Sequence, residues 1–199
     1  MPPRSCAAQL LPTDAMTDKK ALRAELLAKR KAISSEEKAR LDAALVKHIA
    51  EHPAFLSANA LLCYLPIRGE PDLTPLLALA ESRDIPVYLP RCDKNGMRFL
   101  LYTEQACLTP DRFGILAPGN DAQEVAPTAR TLCLVPGLAA ARDGTRLGYG
   151  GGFYDRFLPH FEGKTLFALY EQFVFDTLPH GAYDFLIDPK SIMTEKGAL

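Results

Sequence analysis

The sequence predicts an α/β fold, a three-layer α/β/α sandwich built on a mostly parallel central sheet. Short, continuous apolar runs such as residues 60–65 and Thr131–Val135 are typical of strands that are buried on both faces. Segments with helical periodicity separate these runs, and alternation of strands with helices favours parallel pairing. With 199 residues, 48% of them apolar, the chain is long enough to enclose a sizeable core, so we expect a single domain.

The first structured element is predicted to be a basic helix over residues 17–30. Leu22 and Leu26 lie one turn apart on one face of it. Four cations are predicted to occupy the other faces: Lys19, Arg23, Lys29 and Arg30. Residues 1–16 lack the continuous apolar stretch of a secretory signal and are predicted to be a flexible tail, which leaves the single domain at residues 17–199.

A second helix is predicted to begin at a capping box and to end before a proline. Ser34 and Glu37 have the spacing of a capping box, and Pro53 follows the apolar spine of the helix. Further helices are predicted at residues 73–83 and 152–161, and further strands at residues 86–90, Met97–Tyr102, 165–170 and 191–194. The Pro- and Gly-rich residues 108–127 are predicted to be a long connection, with their Phe-Gly-Ile tripeptide as an anchor.

Composition and charge exclude several classes of function. The formal net charge is −1 and no basic stripe carries stacking aromatics, so no nucleic-acid partner is expected. No apolar run approaches the roughly 20 residues that span a bilayer, so we expect no membrane partner and a cytoplasmic location. The five cysteines form no CxxC pair, and their spacing suits neither a zinc site nor a disulfide framework.

Residues 144–158, here termed the glycine loop, are predicted to bind phosphate and to carry catalysis. Four of the five residues from 148 to 152 are glycines, which lets backbone N–H groups turn toward one point and approach an anion closely. A helix that starts near Gly152 would add its first free N–H groups. Arg146 offers a forked cationic donor to phosphate, and Asp155 offers a carboxylate to Mg²⁺.

The alternative interpretation of the glycine loop is a flexible turn without a ligand. Neither the GxxxxGK[ST] pattern nor a GxGxxG pattern in register after a strand is present. A simple linker, however, needs neither an arginine before the glycines nor Tyr-Asp after them. These flanking residues favour the functional interpretation.

Two further pairs of charged residues are candidates for the site. Lys19 and Arg23 lie one turn apart on the first helix and point to the same side, either as an anion site or as a solvated basic face. Asp184 follows the strand predicted at residues 165–170 by about a dozen positions. It could share a metal ion with Asp155, because each carboxylate would offset part of the charge of the ion.

Glu70 is the candidate for substrate recognition. It follows the strand predicted at residues 60–65, and open α/β sheets bind ligands beyond the carboxyl ends of their strands. There its carboxylate can accept hydrogen bonds from substrate N–H groups. The alternative role is to cap the following helix, for which Asp72 is better placed.

Together these segments resemble the 5-formyltetrahydrofolate cyclo-ligase family, also called 5,10-methenyltetrahydrofolate synthetases. The run VPGLA and the later GTRLGYGGGFYDRFL are similar to the GxRLGxGxGYYDR core of that family. KKALRAELLAKRKAI resembles its N-terminal KxxLR helix, and IRGEPDLTPLL its E-x-D-T-x-x-L segment. FGILAP and LYEQFVFDTLPHGAYDFLID resemble two later family segments, so the resemblance covers nearly the whole chain from residue 17 onward.

The resemblance implies a reaction and its ligands. Members convert 5-formyltetrahydrofolate and MgATP into 5,10-methenyltetrahydrofolate, ADP and phosphate, through phosphorylation of the formyl oxygen and attack by N10. It therefore implies ATP as co-substrate, Mg²⁺ as cofactor and a folate with or without a polyglutamate chain. A monomer is expected.

The resemblance also implies individual roles. ATP would be bound by Lys19, Arg23, Arg146, Leu147, Gly148, Tyr149, Gly150, Gly151, Gly152, Phe153 and Tyr154. The folate would contact Leu65, Glu70, Phe153 and Tyr154. Asp155 and Asp184 would hold Mg²⁺, and Lys19, Arg146 and Tyr154 would take part in catalysis.

The sequence departs from the family pattern at three places. Ala140-Ala141 stand where Phe-Asp commonly follows PGLA, Phe153 replaces a tyrosine, and Tyr183 replaces a histidine. Two alternatives follow: a paralogue that binds folate or nucleotide without turnover, and an isomerase or group-transfer enzyme on a similar scaffold. ATP hydrolysis that depends on 5-formyltetrahydrofolate would exclude the first, and insensitivity to chelator would favour the second.

Overall fold

A computed structural model describes residues 15–181 and 183–199 of the chain, with side chains from residue 19 onward. The helices are α1 (Ala15–Lys31), α2 (Ser35–Glu51), α3 (Pro53–Leu56), α4 (Pro75–Glu81) and α5 (Phe153–Phe157). Apart from the first residues of α1, the tail predicted at residues 1–16 lies outside the described residues, as does Cys6. None of the helices in the described ranges is long and apolar enough to cross a bilayer.

The two long helices follow the sequence pattern, with two corrections. Leu22 and Leu26 are buried as predicted, but Arg30, predicted on a polar face, is also buried because it lies one turn beyond Leu26. The Ser34 side chain caps α2 by accepting a hydrogen bond from the Glu37 N–H at 3.1 Å. The predicted return bond of the capping box is wrong, since the Glu37 carboxylate instead binds Arg40.

Within residues 15–181 and 183–199, twelve strands form one large sheet and two small ones. In chain order they are β1 (Ala60–Leu62), β2 (Val87–Cys92), β3 (Met97–Tyr102), β4 (Thr109–Pro110), β5 (Leu116–Ala117), β6 (Thr131–Val135), β7 (Ala139–Ala141), β8 (Arg146–Leu147), β9 (Lys164–Ala168), β10 (Val174–Phe175), β11 (Ile192–Thr194) and β12 (Gly197–Ala198). The large sheet has the order β12-β11-β9-β6-β1-β2-β3. Its inner pairs are parallel and only the edge strands β3 and β12 run antiparallel to their neighbours, which confirms the predicted fold class.

The central strands position the functional site. Strands β1 and β6 are buried along their whole length and pair directly, Leu61 beside Leu132. From β1 the chain continues to β2 on one side of the sheet, and β6 later adds on the other side. Loops that leave β1 and β6 therefore diverge from a topological switch point, which is where open α/β sheets bind ligands.

Two regions predicted to be irregular contain short strands. Within residues 108–127, β4 and β5 pair into a small hairpin, here termed the β-arm. After β6, strands β7, β8 and β10 form a three-stranded sheet in which Ala140 pairs with Arg146. Arg146 therefore lies in a strand and not in an irregular loop.

Candidate functional site

A cavity of about 650 Å³ opens at the carboxyl ends of β1, β2 and β6. It is lined by every residue that the sequence predicted for the site: Lys19, Arg23, Leu65, Glu70, Arg146, Leu147, Gly148, Tyr149, Gly150, Gly151, Gly152, Phe153, Tyr154, Asp155 and Asp184. These residues come from distant parts of the chain. Their individual roles stay predictions, but their placement around one cavity is a property of the structure.

The glycine loop bends along the cavity wall, and three of its glycines have left-handed backbone: Gly144 at its start and two that line the cavity. Gly150 has φ 97° and Gly152 has φ 65°, conformations that side-chain-bearing residues rarely adopt. The segment predicted to be helical at residues 152–161 is helical over residues 153–160, but only the five residues of α5 are α-helical and Leu158–His160 form a 3₁₀ turn. So short a helix sums few peptide dipoles, and anion binding here would depend mainly on the N–H groups of the loop itself.

Arg146 is held rigidly in the cavity wall. Its side chain is 3% exposed, and its Nη2 donates to Asp155 Oδ1 at 2.6 Å. The guanidinium also lies 5.9 Å from the centre of the Tyr154 ring. Because β8 fixes the backbone and Asp155 fixes the head group, Arg146 presents its remaining donors to the cavity in a defined orientation.

Helix α1 is joined to the site by the two of its cations that were predicted to belong there. The Arg23 Nε donates to the Gly148 carbonyl at 2.8 Å, and the Lys19 ammonium forms an ion pair with Asp184. The Gly181 N–H donates to the same Asp184 oxygen at 2.9 Å. Burial would raise the pKa of Asp184, but hydrogen bonds from Lys19 and Gly181 hold that pKa below its usual value. The solvated-face alternative for Lys19 and Arg23 is therefore wrong.

The two aspartates suit a magnesium ion that is shared with a phosphate ligand. In the described part of the chain, hydrogen bonds reach Oδ1 of Asp155 and Oδ2 of Asp184, and the other oxygen of each carboxylate accepts none. No group of three or more acidic, histidine or cysteine side chains that could enclose a metal occurs among the described residues. Mg²⁺ commonly uses one or two carboxylates together with substrate phosphates, so this donor set fits it.

Glu70 is buried in a tight turn at the end of β1. It is 2% exposed, and its Oε2 accepts a hydrogen bond from the Ile67 N–H at 2.9 Å. Burial raises the pKa of Glu70 above its ordinary value, and the Ile67 hydrogen bond, Tyr149 and two nearby arginines oppose that rise. Its alternative role as a helix cap is wrong, because Asp72 caps the turn before α4 by accepting from the Thr74 N–H at 3.0 Å.

The β-arm supplies an apolar wall that the sequence did not assign to the site. Phe113, Ile115 and Leu116 line the cavity, although Phe113 is 55% exposed. The Phe113 ring meets the Phe153 ring edge to face, with centres 5.4 Å apart. Arg91 fixes the base of the β-arm by donating to the Pro118 carbonyl at 2.9 Å. In the sequence, only the Phe-Gly-Ile tripeptide indicated an apolar anchor in this segment. It did not indicate that the anchor faces the cavity.

The cavity as a whole is positively charged. Five cations of the described residues line it: Lys19, Arg23, Arg68, Arg146 and Arg156. Three carboxylates oppose them: Glu70, Asp155 and Asp184. Arg68 and Arg156 were not predicted; they stack on Tyr149 and Phe153, at 5.6 Å and 5.0 Å from the ring centres. An excess of cations beside a glycine-rich backbone suits a polyanionic ligand.

The departures from the family pattern fall at different depths. Ala140 and Ala141 are fully buried in β7, where their small side chains pack in the core. Phe153 lines the cavity and contributes its ring to the contact with Phe113. Tyr183 is 94% exposed at the cavity rim, beside Asp184. None of these three departures from the family pattern removes an ion pair or hydrogen bond of the site that is described above.

Comparison with known proteins gives a consistent result. Residues 15–188 match the model of the 5-formyltetrahydrofolate cyclo-ligase family. The chain is 30% identical over 138 residues to the 5-formyltetrahydrofolate cyclo-ligase of Escherichia coli K12, covering 67% of this chain and 76% of that protein. The mouse protein of the same name is 28% identical over 184 residues, covering 85% and 91%. The solution structure of Aquifex aeolicus 5,10-methenyltetrahydrofolate synthetase superposes with a TM-score of 0.78 and 34% identity, over 90% of this chain and 91% of that one.

Proposed function

The chain belongs to the 5-formyltetrahydrofolate cyclo-ligase family and is an enzyme of that family, and on this premise we propose that it closes 5-formyltetrahydrofolate to 5,10-methenyltetrahydrofolate with ATP and Mg²⁺. ADP and phosphate would be the other products. The observation that carries the proposal is that one cavity combines a cation-rich glycine loop with an apolar wall and a buried carboxylate. The cation-rich loop suits the phosphates of a nucleotide, and the apolar wall and the buried carboxylate suit a reduced pterin ring.

ATP phosphates would bind along the glycine loop. Backbone N–H groups near Gly150 and Gly152 are free of Cβ atoms that would hold a phosphate away. Arg146 and Lys19 would supply charge, and Arg23 would hold the loop through Gly148. The side chains of Arg146 and Lys19 are only 3% and 13% exposed, so these two cations are already largely desolvated before an anion binds.

Asp155 and Asp184 would hold Mg²⁺ through their free oxygens. When bound, the ion would offset charge on the phosphate oxygens of ATP. Both aspartates also orient a cation of the site, Arg146 and Lys19 respectively. Each carboxylate therefore has a part in the site with or without the ion.

The folate would bind against the apolar wall. Phe113, Leu116 and Leu65 offer apolar surface to the pterin and benzoyl rings. The ionised Glu70 carboxylate would accept hydrogen bonds from the N–H groups of the pterin. Tyr154 also lines this cavity, and its hydroxyl is buried without a hydrogen-bond partner within the described ranges.

The chemistry needs alignment more than a protein nucleophile. Direct ring closure would have to expel the oxygen of an unreactive formamide. In the proposed reaction this oxygen bonds to the γ-phosphorus of ATP while the bond to ADP breaks, and the oxygen becomes part of a good leaving group. N10 then attacks the formyl carbon, phosphate leaves with its electron pair, and N10 loses its proton. Arg146, Lys19 and the loop N–H groups would stabilise the charge that develops on the transferred phosphoryl group.

The test is to follow the absorbance of 5,10-methenyltetrahydrofolate with purified protein, 5-formyltetrahydrofolate and ATP. We expect product only when ATP and Mg²⁺ are both present, with ADP formed in equal amount. Nucleotide or folate binding without product would identify a non-catalytic paralogue. Turnover of a folate that is insensitive to chelator and ATP would instead favour the isomerase alternative.

A further inference from the structure

Arg30 is a buried cation that lies behind the cavity and does not line it. It is 2% exposed and lies on the apolar face of α1, one turn beyond Leu26 and two turns beyond Leu22. Among the described residues no carboxylate lies within ion-pair distance of its guanidinium. A buried charge without a counter-charge is costly unless hydrogen bonds replace its water. The bonds of Arg30 therefore indicate what it does.

The guanidinium of Arg30 joins segments that follow the strands β6, β8 and β9. After β6, its Nη2 donates to the Gly137 carbonyl at 2.7 Å. In the glycine loop, its Nη1 donates to the Tyr149 hydroxyl at 3.0 Å. After β9, the Phe173 ring centre lies 5.2 Å from its guanidinium carbon.

The stem of Arg30 packs under the turn that holds Glu70. A Cβ added to Gly69 would lie 3.2 Å from the Arg30 Cγ, so the turn rests almost directly on this side chain. Gly69 has φ 74° and Arg68 has φ 51°, so the turn has an unusual backbone that its surroundings must hold. One side chain thus touches the supports of the glycine loop and of Glu70.

We propose that Arg30 is a positioning residue that fixes the glycine loop and the Glu70 turn relative to each other, and so sets the distance between bound phosphate and bound folate. The inference rests on the proposed function. The planar guanidinium of an arginine donates hydrogen bonds in fixed directions, so it can hold two segments in one arrangement. The ammonium of a lysine, on a flexible stem, does this less well. Reaction between two ligands depends steeply on their separation, so a small displacement of either segment would lower turnover.

The charge of Arg30 gives an independent readout. Several groups face the Glu70 carboxyl: Arg30, Arg68, Tyr64, Tyr149, Tyr154 and the Ile67 N–H. Burial raises the pKa of Glu70, and the charge of Arg30 is one of the interactions that oppose the rise. Loss of this charge should therefore move the pH dependence of folate binding to higher pH, which a purely structural defect would not do.

The experiment compares Arg30→Met, Arg30→Lys and Tyr149→Phe in the full chain, with kcat, both KM values and thermal stability measured for each. Arg30→Met should lower kcat/KM for folate by at least about tenfold, the effect of losing a hydrogen bond to a charged group. Tyr149→Phe removes one of these bonds and should lower it by roughly threefold to tenfold. Arg30→Lys should keep the pH dependence of the wild type but not its kcat. The matched control is Arg83→Met, because Arg83 also lies over a ring, Phe55, at 5.6 Å, but outside the cavity.

Two outcomes would overturn the proposal. In the first outcome, the Arg30→Met variant has lower thermal stability, but both KM values, kcat per folded molecule and the pH profile are unchanged. The second outcome applies if Arg30→Met does not fold. In that case the proposal is overturned if Arg30→Lys and Tyr149→Phe both match the wild type in kcat and KM. If the wild type makes no product, the proposed function fails, and the Kd for ATP in the same variants then tests whether Arg30 positions the glycine loop. An unchanged Kd in all of them would overturn the proposal.

Discussion

Replacement of Arg146 by methionine removes the most buried of the five cavity cations but keeps a long, unbranched side chain. The Arg146 side chain is 3% exposed and its Nη2 lies 2.6 Å from Asp155 Oδ1. The substitution therefore deprives Asp155 of its partner. It also deprives a phosphate at the glycine loop of a forked donor that β8 holds in place.

Two free energies change, and they differ in size. Loss of one partner of a fully buried ion pair costs about 3–5 kcal/mol. The Asp155 side chain is 26% exposed, so water replaces part of the lost interaction, and we expect about 1–3 kcal/mol off the free energy of unfolding. Loss of one preorganised donor to the transition state lowers kcat by about 10²–10³-fold, or about 2.7–4 kcal/mol. Catalysis should thus suffer more than stability.

The assay is kcat at saturating ATP and folate, from methenyltetrahydrofolate absorbance, with the thermal midpoint measured in parallel. Arg142→Met is the matched control. Arg142 directly follows β7, and its side chain is 57% exposed. Its pair with Asp176 at 3.6 Å is solvent-exposed and contributes little. A folded Arg146→Met variant with kcat within about threefold of the wild type would refute the phosphate role of Arg146.

Three further changes test other parts of the site. Because burial raises the pKa of Glu70 above 4.5 and the ionised form accepts the hydrogen bonds, KM for folate should fall as pH rises through that raised pKa. Glu70→Gln should abolish this dependence, and a slope like that of the wild type would contradict the assignment. Asp184→Asn should raise the Mg²⁺ concentration for half-maximal turnover at least about tenfold, whereas an unchanged titration would remove Asp184 from the metal site. Phe113→Ala should raise KM for folate roughly fivefold to tenfold through lost apolar burial, with little effect on thermal stability. The equally exposed Leu56, changed to alanine, should leave KM unaltered, and equal effects of both changes would contradict the role of the β-arm.

The sequence predicted the long and fully buried elements well. Strands β3 and β6 have the predicted bounds, and α2 begins after the predicted cap at Ser34. The small strands were not predictable, because β8 has two residues and alternation cannot be recognised over so short a run. The sequence consequently predicts Arg146 in an irregular stretch, and the pairing of β8 with β7 explains why its backbone is fixed.

The sequence named the side chains of the cavity but not the contacts among them. Arg23 and Gly148 are 125 positions apart, and no local pattern reports that they share a hydrogen bond. Charge alone predicts Arg30 on a polar face of α1, whereas its spacing of four from Leu26 places it on the apolar face, where it is buried. A charged residue at the helical spacing of buried leucines indicates a buried charge. A search for apolar residues alone does not detect it, because the charged residue is not counted in the apolar stripe.

The ion pair of Lys19 and Asp184 joins positions 165 residues apart. A contact of such sequence separation requires closure of the long loop between its partners, which costs conformational entropy. The cavity is therefore complete only when the two ends of the domain have met. A ligand that binds there stabilises the native state over the unfolded chain, by about 2.7 kcal/mol at one hundred times its Kd. Substrate supply would then govern how long the whole domain resists heat and proteolysis, as well as how fast it turns over.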